Sequence, residues 1–74
     1  MSSITQPLYP EITLYVDLTG PDGNAFAILG TIKREFRRHH IPVEEWSRFE
    51  AEATYGDYNH LLATCAKWVT FVAS

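Results

Sequence analysis

EITLYVDLTGPDGNAFAILG, residues 11–30, reads as a strand, a turn and the opening of a helix in one unbroken stretch. Ile12, Leu14, Val16 and Leu18 alternate with Thr13, Tyr15 and Asp17, the period of a strand with one buried face over residues 11–18. Thr19 to Asn24 is an uninterrupted run of turn formers. Pro21 presets φ, Gly23 is expected at positive φ, and Asn24 or Asp22 is placed to cap a helix. Apolar residues then recur at 25, 28, 29, 32 and 36, one face of a helix running from about 24 to 39. Gly30 lies inside that helix at a cost of about 1 kcal/mol relative to Ala. With Ala27 one turn earlier it forms a strip of small residues, where close packing of a ring or a backbone is expected.

Ile41-Pro42 ends this helix, and Pro42 suits the first position of the next. Residues 43–55, VEEWSRFEAEATY, place Trp46, Phe49 and Ala53 on one face, with Glu44 and Glu45 in the first turn where the helix dipole favours them. Gly56 reads as the helix stop and Asp57 as the cap of a third helix, DYNHLLATCAKW, with Tyr58, Leu61, Leu62 and Cys65 inward. The final KWVTFVA is rich in β-formers and is expected to end in a short strand beside the first. The fold class is therefore α+β, in the order β-α-α-α-β. An irregular arm over residues 1–10 precedes a single compact domain over 11–74.

A domain of 74 residues buries only roughly 60% of the surface of its unfolded chain. One cysteine, Cys65, forbids an internal disulfide and suits a reducing compartment. Oligomerisation is the remaining remedy for a small core, so a homodimer or larger assembly is expected. Two Trp, four Tyr and four Phe are more aromatic rings than so short a chain buries. Tyr9, Tyr15, Tyr55 and Trp68 are the candidates for an interface. Nothing in the sequence approaches the ~20 apolar residues of a membrane span, and the first residues do not read as a signal peptide. A net charge of −3 makes nucleic acid an improbable general partner.

Two features suggest a ligand. The glycine-rich turn exposes backbone N–H groups at a helix start, a natural anion seat. It has neither the Lys-Ser/Thr of a P-loop nor the spacing of a dinucleotide fingerprint, and it reads first as a plain helix-starting turn. The end of the first helix carries Lys33, Arg34, Arg37 and Arg38, followed by His39 and His40. These cations suit a helix C-terminus and have an acidic neighbour in the second helix, or they meet an anionic partner. The candidate ligand-binding set is Gly20, Gly23, Asn24, Arg34, Arg37 and Arg38. The turn and the arginines lie roughly 20 Å apart at 1.5 Å per residue, so one small anion touches both only across a subunit interface. Glu44, Glu45, Glu50, Glu52 and Asp57 read as a solvated acidic face. Cys65 falls on an apolar face and His60 is poorly placed to activate it, which argues against nucleophilic catalysis. No cysteine and histidine spacing suggests a metal, and no cofactor is expected.

The runs DLTGPDGNAFAILG and EATYGDYNHLLATCAKWV together resemble small bacteriophage and prophage proteins without an assigned activity. Those proteins share a TGPxGNAF loop–helix and an EAxSGDYxHLL junction. The likeness spans residues 12–70, with Tyr55 where the pattern has a small residue. It implies a non-catalytic accessory protein in the cytoplasm of a bacterial host, binding and inhibiting or sequestering a host component, as in anti-defence. A small-molecule sponge holding a nucleotide-type anion at a subunit interface is the alternative, and a binder of nucleic-acid backbone the third.

Overall fold

The computed structural model describes residues 6–73, apart from the side chain of Asp22. Strand β1 (Tyr9–Val16) leads through a 3₁₀ turn (Pro21–Gly23) into α1 (Ala25–Arg38). Helices α2 (Val43–Ala53) and α3 (Tyr58–Trp68) follow, and the chain returns in β2 (Val69–Ala73). The domain is α+β in the expected order, and β2 settles the C-terminal segment as a strand. Residues 1–5 of the expected arm lie outside the described residues. Tyr9 and Pro10, assigned to that arm, belong to β1. Leu8 N–H already donates to the Lys67 carbonyl at 3.1 Å, three residues before the alternating pattern begins.

The two strands run parallel, with Thr13 opposite Thr70, Leu14 opposite Phe71, Tyr15 opposite Val72 and Val16 opposite Ala73. Register slips between Tyr9 and Thr13. Pro10 has no N–H to give the ladder there, and its carbonyl instead accepts from the Thr70 hydroxyl at 2.8 Å. A parallel pair needs a long crossover, and the three helices supply it. They cover one face only. Ile12, Leu14, Val16 and Val69 are buried beneath them, while Thr13, Tyr15 and Val72 stay exposed on the other side.

The core is a ring cluster centred on Phe36. Tyr9, Trp46, Phe49 and Trp68 surround it at centroid distances of 5.7, 5.9, 5.7 and 6.3 Å. Ile28 and Ile32 continue the α1 stripe toward the turn, where Ala53, Leu61 and Cys65 close it. Trp68 is therefore a core residue, not the interface residue expected from sequence. Tyr9 is half-buried against Trp68, and its hydroxyl donates to Glu45 at 3.1 Å. Burial, and then this bond, raise the Tyr9 pKa above the usual phenol value. Phe26, Tyr15, Tyr55 and Tyr58 are the aromatic rings left exposed.

Three local expectations change. No glycine adopts positive φ; the left-handed position is His40, at φ 57°. His40 N–H donates to the Arg37 carbonyl at 3.2 Å and Ile41 N–H to the Phe36 carbonyl at 2.9 Å, a Schellman closure of α1. Helix α2 stops at Ala53 with Thr54 as its cap, ahead of Gly56. Gly56 matters for space, because a Cβ there would lie 3.0 Å from the Cβ and Cγ of His60. Gly30 is exposed, and a Cβ on it would meet nothing within 4 Å, so among the described residues the close packing expected at Gly30 is not found.

Candidate functional site

The turn before α1 is closed by its own groups. The Asp17 carboxylate accepts from Thr19 N–H at 3.0 Å and from the Thr19 hydroxyl at 2.8 Å. The hydroxyl bond, and then the backbone bond, hold that carboxyl below its usual range. Gly20 N–H donates to the Asp17 carbonyl and Gly23 N–H to the Gly20 carbonyl, each at 3.1 Å. Asn24 caps α1: its Oδ1 accepts from Ala27 N–H at 2.8 Å while its Nδ2 donates to the Pro21 carbonyl at 3.0 Å. The Asp17 carboxylate thus sits inside the turn, and the backbone N–H groups of Gly20 and Gly23 and the side-chain amide of Asn24 bond within the chain. Gly23 is required sterically. A Cβ there would sit 2.6 Å from the Leu18 carbonyl oxygen and 2.8 Å from that of Asp17.

The α2–α3 junction packs onto this turn. Asp57 caps α3 by accepting from His60 N–H at 2.9 Å. That places Tyr58 on the first turn, where its hydroxyl donates to the Gly23 carbonyl. His60 Nε2 bonds the Glu52 carbonyl at 2.7 Å and holds the junction from behind. The Glu52 carboxylate accepts from Lys67 Nζ at 2.8 Å and Trp68 Nε1 at 3.2 Å, which lower its pKa in that order of importance. Between the turn and the junction lies an apolar groove of about 290 Å³, lined chiefly by Ala25, Phe26, Leu29, Ala53, Tyr58 and Leu61. Phe26 is 88% exposed at its rim, and Tyr55, next to the junction, 87%. The residues of the two sequence motifs build this one surface.

The arginines stand at the far end of α1, about 20 Å away along the helix. Arg38 pairs with Glu35 at 3.2 Å. Arg34 and Arg37 have no carboxylate partner among the described residues, and the acidic face of α2 does not supply one. Glu45 is taken by Arg48 at 3.0 Å, and Glu52 by Lys67. One chain therefore does not bring the six predicted ligand residues together.

Among the described residues no group of three or more His, Cys, Asp or Glu side chains is placed to hold a metal ion. Cys65 is fully buried, and desolvation pushes its thiol up to about 12. Among the described residues no helix is long and apolar enough to cross a membrane.

Sequence reasoning passed over Phe26 and misplaced Tyr58. Phe26 lies off the 25, 28, 29, 32, 36 stripe, and that offset alone signals exposure. Tyr58 reads as inward alongside Leu61, Leu62 and Cys65, but it is exposed, and its hydroxyl reaches a carbonyl in a turn 35 residues away that local sequence does not reveal. Comparison with protein-family models, with curated proteins and with solved structures finds no match.

Proposed function

We propose that this chain is a non-catalytic accessory protein of a phage or mobile element that binds a host protein and inhibits or sequesters it. The observation that carries the reading is Phe26, a large apolar ring exposed at the rim of an apolar groove, in the first turn of α1 beside its Asn24 cap. Exposed aromatics beside a preformed groove are the usual anchors of protein recognition. The buried Cys65 thiol offers no nucleophile, in keeping with a binding role. The open sheet face around Tyr15 and Val72 supports assembly with a second copy. A sponge for a small anion draws support from Arg34 and Arg37, which have no carboxylate partner among the described residues, whereas the N–H groups of Thr19, Gly20 and Gly23 already bond within the chain.

The test is affinity capture from a bacterial lysate with the wild type and Phe26→Ser. The expected result is a partner retained by the wild type and lost from the variant, with thermal melting unchanged. Equal capture by both would remove the groove from the reading. A native mass spectrum of the purified protein completes the test, because extra mass lost on denaturation would favour the sponge.

A further inference from the structure

We propose that the cleft between the end of α1 and the start of α2 is a second docking site, one that takes an acidic peptide segment carrying an apolar anchor. The cleft measures about 160 Å³ and is lined by Lys33, Phe36, Arg37, Ile41, Val43 and Trp46. That volume suits one apolar side chain.

Its floor is rigid. Phe36 and Trp46 meet edge to face at 5.9 Å and 83°, and Ile41 is fixed by the bond that closes α1. Val43 stands 70% exposed at the rim.

The charge on the cleft is uncompensated. Arg38, Arg48 and Lys67 each have a carboxylate partner, whereas Lys33 and Arg37 have none among the described residues. They sit one helical turn apart, on the same side of α1. Lys33 Nζ lies 5.8 Å from the Trp46 ring centroid, resting over the aromatic face. Two cations flanking an apolar slot complement a segment whose carboxylates bracket a Phe or Leu. A phosphate chain is disfavoured, because it offers no apolar side chain to fill the slot between Phe36, Ile41, Val43 and Trp46. The inference shares with the proposed function only the premise that the partner is a protein. It uses different residues, at the opposite end of α1.

The experiment follows the Trp46 indole N–H by nuclear magnetic resonance in the full chain. Three probes are titrated: a short peptide of glutamates around one phenylalanine, the same peptide with serine in place of phenylalanine, and single-stranded DNA of equal length. The phenylalanine peptide is expected to shift the Trp46 signal and leave the buried Trp68 signal in place. Its affinity should fall roughly tenfold or more in Arg37→Glu. Val43→Asp, which adds repelling charge at an exposed helix start, should weaken binding without unfolding the protein. The proposal is overturned if the phenylalanine peptide gives no shift at millimolar concentration, if the serine peptide binds equally well, if DNA binds more tightly, or if the shift tracks self-association. Any of these leaves the Phe26 capture result unaffected.

Discussion

The two ends of α1 are finished in opposite ways. At its start, Asp17 and Asn24 accept from backbone and side-chain donors, the Tyr58 hydroxyl donates to the Gly23 carbonyl, and the groove left over is mainly apolar. At its end the backbone is equally well closed by the bonds of His40 and Ile41, yet the cations Lys33, Arg34 and Arg37 face solvent unpaired among the described residues. The start is governed by sterics and directional bonds, which only a few residue types satisfy. The end is governed by charge, which many arrangements satisfy. A recognisable motif therefore forms at the first, and a loosely patterned basic run at the second.

The sharpest way to break this contrast is Gly23→Ala. The added methyl meets two backbone carbonyl oxygens at 2.6 and 2.8 Å, and backbone has no alternative rotamer to adopt. A loss of about 3 kcal/mol is expected in urea unfolding. A loss below about 1 kcal/mol would show that the turn yields, and that the start of α1 is not sterically determined. Asn24→Ala comes next. It removes the cap to Ala27 and the bond to Pro21 together, and should lose about 1–2 kcal/mol. An unchanged midpoint would mean that water replaces the cap.

Much of the architecture is legible in the sequence because period alone carries it. The alternation of Ile12, Leu14 and Val16 and the stripe of Ile28, Ile32 and Phe36 are the buried faces found. What escapes is tertiary. Gly23 looks like a positive-φ residue, because a turn glycine usually is one; only the fold reveals two carbonyls beneath it. Trp68 looks like an interface ring until β2 turns the chain and buries it. His40 gives no signal at all, since histidine is an ordinary residue that here takes the left-handed place usually left to glycine. The groove is half legible: its two walls are the two motifs, but the Tyr58–Gly23 bond that joins them spans 35 residues and leaves no local signal.

Glu52→Gln asks whether the groove end draws strength from the junction behind it. Lys67 and Trp68 favour the ionised carboxylate, so its contribution is full at neutral pH and is lost as pH falls through the lowered pKa, below the usual carboxylate range. The variant should be about 1 kcal/mol less stable near neutrality, because the carboxylate is only partly shielded from solvent. The gap between the two proteins should close on acidification. A gap independent of pH would assign the effect to packing of the side chain, not to its charge.

The smallest effect is expected at the other end, with the opposite sign. His40→Gly relieves a non-glycine residue at φ 57°, a strain of about 1–2 kcal/mol, and gives back part of it through the greater freedom of glycine in the unfolded chain. A net gain of about 0.5 kcal/mol should appear as a higher urea midpoint. His40 is not among the residues that line the basic cleft, so peptide binding there should not change. If the variant were less stable, the imidazole itself would be making a contact that holds the end of α1. That end would then depend on a specific side chain as the start depends on Asn24, and the contrast between backbone-determined and charge-determined ends would fail.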